Sequence, residues 1–152
     1  MRTDSRLSRV LHVLLHMIKY EGALTSEQIG VMLDTNSVVV RRTLSGLRKA
    51  GVVKSEKGHG GGWRLTRDPK DITLLDIYQL IGSPQLFAIG FDHTSPTCAV
   101  EASVNKALGQ SLTKIESILL NDFANISLQD LYLDFEQHCQ RLSLSMIGCH
   151  KK

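Results

Sequence analysis

Residues 36–65 read NSVVVRRTLSGLRKAGVVKSEKGHGGGWRL. Up to Ala50 the pattern is helical: at 100° per residue Val40, Thr43, Leu44 and Leu47 share one side, predicting a face that packs inward. Val38, Arg42, Ser45 and Lys49 fall on the opposite side, with Arg41 and Arg48 on its shoulder. Ser37 can cap this helix, predicted over 38–50, and Gly51 stands where a left-handed residue commonly stops one. Beyond it 52–56 is short and extended, 57–62 is a glycine-rich loop and 63–66 is extended again, which reads as a β-hairpin with a flexible, basic tip.

Upstream, Thr25-Ser26-Glu27-Gln28 is a capping-box pattern that opens a short helix through Ile29, Met32 and Leu33, and Asp34-Thr35-Asn36 is a turn. Two short helices joined by a tight turn outline a helix-turn-helix. Before them, Leu7, Leu11, Leu14 and Ile18 form one stripe of a first helix over 5–20, ended by Glu21-Gly22-Ala23. Downstream, Pro69 closes the hairpin unit and Thr73-Leu74-Leu75-Asp76 opens a capped helix ending at Gly82. Residues 83–97, with Pro84, Gly90 and Pro96, read as a loop. A long helix from Cys98 to Asn121 carries the stripe Val104, Leu108, Leu112, Ile115 and Leu119, and Ser127 caps a last helix running towards Leu142. The fold class predicted is mainly α with a small β-hairpin wing: a winged helix-turn-helix over 1–82, the loop 83–97, and a helical dimerisation and sensing region over 98–152.

The chain has 152 residues, 42% hydrophobic and 22% charged, with a mean hydropathy of −0.05, which places it among globular rather than disordered or membrane chains. Met1-Arg2-Thr3-Asp4-Ser5 runs into charged amphipathic sequence instead of an apolar signal core, so a cytoplasmic protein is expected. The net charge of +3 conceals a split. Residues 1–70 carry 13 Lys/Arg against 6 Asp/Glu, and residues 71–152 carry 5 against 9. A basic half suits a polyanion, although it can also be merely solvated. Cys98, Cys139 and Cys149 are odd in number and widely spaced, which argues for reduced thiols rather than a disulfide framework.

A helix inserted end-on into the major groove reads base edges with its first residues and touches phosphate with later cations. On that reading Thr35, Asn36, Ser37 and Val38 lie at the reading end, Arg41 or Arg42 can bind guanine, and Val38 can meet a thymine methyl. Ser45 shares the outward face, while Arg48, Lys49 and Lys54 suit the backbone, which positions without specifying. The plain alternative is a solvated basic face on a three-helix bundle. Gly58-His59-Gly60-Gly61-Gly62 lacks the Lys-Ser/Thr ending of a nucleotide-binding P-loop and leads to a strand, not a helix. As a wing, Gly60 and Gly61 let the backbone approach DNA while Lys57, His59 and Arg64 supply charge. Trp63 either anchors the wing to the domain or contacts DNA.

These residues resemble the Rrf2 family of bacterial transcription regulators. The resemblance rests on Val39-Val40-Arg41-Arg42-Thr43-Leu44-Ser45-Gly46-Leu47-Arg48-Lys49-Ala50-Gly51-Val52-Val53, on Gly60-Gly61-Gly62-Trp63-Arg64-Leu65 and on Ile72-Thr73-Leu74-Leu75-Asp76-Ile77-Tyr78, and continues weakly through Cys98 to Ile126-Ser127-Leu128-Gln129-Asp130-Leu131. It implies a homodimer joined through the long helix and bound to a palindromic double-stranded DNA operator as a repressor. Iron–sulfur members carry three closely spaced cysteines before the long helix. Here residues 83–97 contain none and only Cys98 matches, so the chain looks closer to the cluster-free branch and no cofactor is expected.

Cys98 at a helix start is either a thiolate open to oxidants and electrophiles or an inert packing residue. His12 and His16, four apart, have a spacing that can hold zinc or simply lie on an amphipathic surface; His138-Cys139 with Cys149-His150 offers four further potential ligands in the tail. No paired carboxylates or Ser/His/Asp arrangement supports catalysis, so no enzyme is expected. The stripe from Val104 to Leu119 needs a cover, either a second copy of the chain or the terminal helix. A pocket between the wing domain and the long helix, with 83–97 as its lid, could take a small-molecule effector. The competing reading from another class is a dimeric ligand-sensing or protein-interaction module that no longer binds DNA specifically.

Overall fold

The computed structural model describes residues 4–20, 22–91 and 97–141. Glu21, Leu142 and the Cys149-His150 pair lie outside them, as do residues 92–96 of the expected loop. The helices are α1 (Arg6–Lys19), α2 (Ser26–Met32), α3 (Ser37–Lys49), α4 (Leu74–Leu80), α5 (Ala99–Asn125) and α6 (Leu128–Arg141). Between α3 and α4 lie the strands β1 (Val53–Glu56) and β2 (Gly62–Leu65), followed by a 3-10 turn at Pro69–Asp71. The strands pair antiparallel, Val53 opposite Leu65 and Glu56 opposite Gly62.

One capping device opens three of the helices. Thr25 accepts from the Gln28 amide at 3.1 Å while the Gln28 side chain accepts from the Thr25 amide at 2.8 Å. Thr73 with Asp76 opens α4, and Ser127 with Asp130 opens α6, in the same reciprocal way. Each pair satisfies amides that a helix start leaves without partners. At α3 the cap differs from the expected Ser37: Asn36 accepts from the Val39 amide at 2.9 Å, so Ser37 is already helical. The Asn36 side chain reaches the third helical amide from the extended backbone just outside the helix. Gly51 then takes a φ of 71°, as the helix stop predicts.

The core gathers Val10, Val13, Leu14 and Met17 of α1, Leu24, Ile29, then Val40, Leu44 and Leu47 of α3, with Val52, Val53, Trp63, Ile72, Ile77 and Leu128. Burying each large aliphatic side chain contributes about 1.5–3 kcal/mol. On α1 the expected stripe faces inward: Leu14 is fully buried and Leu7, Leu11 and Ile18 pack against the core, which Val10, Val13 and Met17 extend on a neighbouring side. One expected face is corrected. On α3, Thr43 is exposed: the inward face narrows to Val40, Leu44 and Leu47, leaving Thr43 at its margin beside α1 and α4.

Two backbone bridges tie the parts together. Leu24 and Trp63 exchange hydrogen bonds of 3.0 and 2.8 Å, docking β2 on the segment before α2. There Gly62, at φ 150°, would bring a Cβ within 2.7 Å of the Leu24 carbonyl oxygen, so no larger residue allows this approach. Leu74 donates to Ile126 and Leu128 to Ile72, both at 2.9 Å, so the chain returns after α5 to the foot of α4. The helix α5 runs four residues past the expected Asn121 before this return.

Candidate nucleic-acid interface

The turn between α2 and α3 aims the reading end of α3. The Thr35 amide donates to the Gly30 carbonyl at 2.8 Å, and a Cβ on Gly30 would stand 2.7 Å from the Thr35 carbonyl oxygen. Asn36 and Val38 are exposed beyond this turn, Val38 to 66%, while Thr35 and Ser37 are half-buried. Arg41 donates to Ser37 Oγ at 2.8 Å and lies 3.8 Å from Glu27, both carboxylate and guanidinium being largely exposed. Arg42 and Lys49 are exposed and, among the described residues, form no hydrogen bond or ion pair through their side chains. The structure therefore places Arg42 and Lys49 on the outward face and Arg41 and Arg48 on the flank towards the hairpin.

The hairpin closes one side of that face. Arg48 donates to Ser55 Oγ at 3.3 Å, and Ser45 is half-buried at the bottom of a groove of about 560 Å³ between α3 and the hairpin. Arg41, Ser45, Arg48, Lys57 and Gly61 line it. Lys57, His59 and Gly60 are exposed at the tip. Two of the sequence cations are more committed than their spacing implies: Lys54 meets Glu56 at 2.7 Å and Arg64 approaches the same carboxylate at 3.5 Å. The Lys54 ammonium, chiefly by its hydrogen bond, holds the Glu56 carboxyl below the usual carboxylate range. The sequence reading did not flag Glu56, which ends β1 beside the turn; Lys54 lies two residues before it on the same strand face, and pairing of the strands adds Arg64, the partner of Lys54, on the diagonal. Trp63 is buried, and its indole N–H donates to Ser26 Oγ at 3.0 Å, which makes it the anchor of the hairpin.

Further along the chain, Cys98 is exposed and immediately precedes α5. The backbone N–H groups of Glu101 and then Val100 at the start of that helix lower its thiol pKa from the ordinary value. Val104, Leu108 and Ile115 are exposed, whereas Leu112 and Leu119 are half-buried. The exposed apolar strip also takes in Val100 and Ile118, which the sequence stripe omitted although they continue the same helical spacing. The terminal helix does not cover this strip, since α6 packs on α1 and on the turn at Pro69–Asp71. Leu112 instead borders a cavity of about 350 Å³ between α4, α5 and the segment from Ser83, with Tyr78, Leu86, Phe87 and Glu116 on its wall. The Tyr78 hydroxyl donates to the Pro84 carbonyl at 2.8 Å, holding that segment over the cavity.

A helix-turn-helix whose outward helix is basic at its exposed end, flanked by a glycine-tipped hairpin, defines a winged-helix DNA-binding protein. The chain belongs to the Rrf2 family of transcription regulators: the family model, described as an iron-dependent transcriptional regulator, matches residues 3–134. It is 34% identical to YwnA of Bacillus subtilis, named as an HTH-type transcriptional regulator, over 129 residues, or 84% of this chain and 95% of that protein. A solved structure described as a DNA-binding protein is 31% identical, covers 84% of this chain and 98% of its own, and superposes with a TM-score of 0.64. A transcriptional regulator from Lactobacillus plantarum shares the fold with a TM-score of 0.72 at 22% identity, covering 91% and 95% of the two chains. The protein is thus a DNA-binding transcription regulator and not an enzyme.

The residues present do not fit an iron–sulfur cluster held before the long helix. That junction offers a single thiol, Cys98, and Cys139 is buried on α6. Among the described residues no three His, Cys, Asp or Glu side chains converge to hold a metal ion. Nor, among them, is any helix long and apolar enough to cross a membrane.

Proposed function

We propose that the protein is a cytoplasmic homodimeric repressor that binds a palindromic operator, with 1–82 as the DNA-binding unit, 83–97 as connecting loop and 98–152 as the dimerisation and sensing region. The observation that carries this reading is the uncommitted pair Arg42 and Lys49 on the outward face of α3, beside the exposed Val38. Charge that is neither paired within the molecule nor buried keeps its full attraction for phosphate. In this reading Asn36, Val38 and Arg42 read bases. Thr35, Ser37, Arg41 and Ser45 line the approach, and Arg48, Lys49, Lys57, His59, Gly60, Gly61 and Arg64 hold the backbone.

The exposed strip Val100, Val104, Leu108, Ile115 and Ile118, with Leu112 and Leu119 at its border, is the two-fold contact. Its support is continuity: five large apolar residues on one helix are too many to leave in water on a chain of this size. Cys98, at the start of this helix, is the reactive thiol through which an oxidant or electrophile acts, and the cavity beside Tyr78 is the place for a small-molecule effector.

Selection of bound duplexes from a random pool, followed by titration of the winning site at several salt concentrations, tests the proposal. The expected result is a two-fold symmetric site bound with nanomolar-order affinity that falls steeply with salt. Weak binding to all duplexes alike would refute it.

A further inference from the structure

The paired histidines of α1 lie on the flank away from Val10, Val13 and Met17, His12 exposed and His16 half-buried. Surface imidazoles one turn apart have rotamers that point to solvent, and nothing in their spacing obliges the rings to meet. Here they converge. His12 Nε2 stands 3.0 Å from His16 Nε2, with ring centroids 4.8 Å apart and planes inclined by 40°. One N–H···N bond between neutral rings accounts for that distance, and so does a chelate. Two imidazole nitrogens each about 2.0–2.1 Å from one ion stand about 2.8–3.4 Å apart at right-angled to tetrahedral bond angles. The next cation along this flank, Lys19, is turned onto the Phe135 ring of α6, 5.2 Å from its centroid.

We propose that His12 and His16 form a two-imidazole site for a late first-row divalent ion, of which Zn²⁺, Ni²⁺ and Cu²⁺ are the candidates. Neutral imidazole is a borderline donor that favours these ions over Mg²⁺ and Ca²⁺, which take oxygen. Both ligands stand on one rigid helix at i and i+4, so binding orders little backbone and staples two turns of α1.

Full-length protein stripped with EDTA is titrated with Zn²⁺ by calorimetry and with Co²⁺ by its visible absorption, as wild type, as His12→Gln and as His16→Gln. The expected result is that each variant binds one ion fewer than wild type, and that Zn²⁺ raises the thermal midpoint of wild type but of neither variant. Circular dichroism checks that helix content is kept, and His12→Gln, at the exposed position, decides should His16→Gln fail to fold. Unchanged stoichiometry in His12→Gln would place the ions elsewhere and overturn the proposal, as would a wild type that binds neither ion.

Discussion

Replacing Trp63 with Phe removes one hydrogen-bond donor from the base of the hairpin and keeps most of the apolar bulk. The donor matters because its acceptor, Ser26 Oγ, sits on a residue only 8% exposed and 3.0 Å away. Leaving a buried polar group unpaired costs about 1–3 kcal/mol. The lost half of the indole adds about 1 kcal/mol, a fraction of the cost of truncating a buried aromatic to Ala. The variant is therefore expected to lose about 2–4 kcal/mol, a large share of the roughly 5–15 kcal/mol that holds an ordinary domain folded. Ser26→Ala, which leaves the indole N–H unpaired instead, should cost about 1–3 kcal/mol. Urea unfolding of both singles and the double completes a cycle, whose coupling should be about 1–3 kcal/mol in favour of the native pair, because the double variant leaves neither polar group unpaired. Since β2 docks on Leu24 beside this bond, Trp63→Phe should also loosen the wing and flatten the salt dependence of DNA binding. Additive single effects, with coupling below about 0.3 kcal/mol, would show that the indole anchors the wing by bulk alone and refute the argument.

On operator DNA, Arg42→Ala should cost about 1–3 kcal/mol and relax choice at one base pair, whereas Lys49→Ala should weaken all sequences alike and lower the salt slope by about 1; anisotropy titrations on matched and mismatched sites separate the two. Leu108→Glu with Ile115→Glu puts charge into the exposed strip of α5 and should yield a folded monomer by light scattering. For Cys98, alkylation by iodoacetamide followed against pH should give a midpoint below that of a free thiol, because amides at the start of α5 favour the thiolate, and the buried Cys139 should react far more slowly. Gly30→Ala should destabilise by about 1–3 kcal/mol in urea, since its Cβ would meet the Thr35 carbonyl at 2.7 Å and the turn that aims α3 must open.

What the sequence reveals best is local. Thr25 with Gln28 and Thr73 with Asp76 declare their helices because a capping box is a short-range exchange of hydrogen bonds, complete within four residues. The outward side of α3 is legible for the same reason: Val38, Arg42 and Lys49 follow from helical spacing alone. Legibility fades where a second element decides. Thr43 looks inward on the spacing, yet lies exposed because neighbouring α1 and α4 leave that margin open, and Ser45 looks fully outward until the hairpin covers it. The extent of burial on α1 depends on β2, α4 and α6, the last more than 100 residues away, so no window along α1 reveals it. Charge is affected likewise. Lys54 and Arg64 count as two positives in the sequence, but Lys54 meets Glu56 along its own strand and strand pairing brings Arg64 to the same acid, so their net contribution to a phosphate-facing surface is smaller.

The return of the chain after α5 has a mechanical meaning. A helix of 27 residues held at one end would swing, and a small error in its angle would displace its far end by many ångströms. This one is held over its second half, where Leu112, Glu116 and Leu120 face α4 across the cavity, and at its finish, where Ile126 and Leu128 are bonded to the foot of α4. Two supports fix its direction as a single pin would not. In a dimer built on it, the distance between two recognition helices would be set by a rigid frame, and a signal could change that distance only by shifting a support.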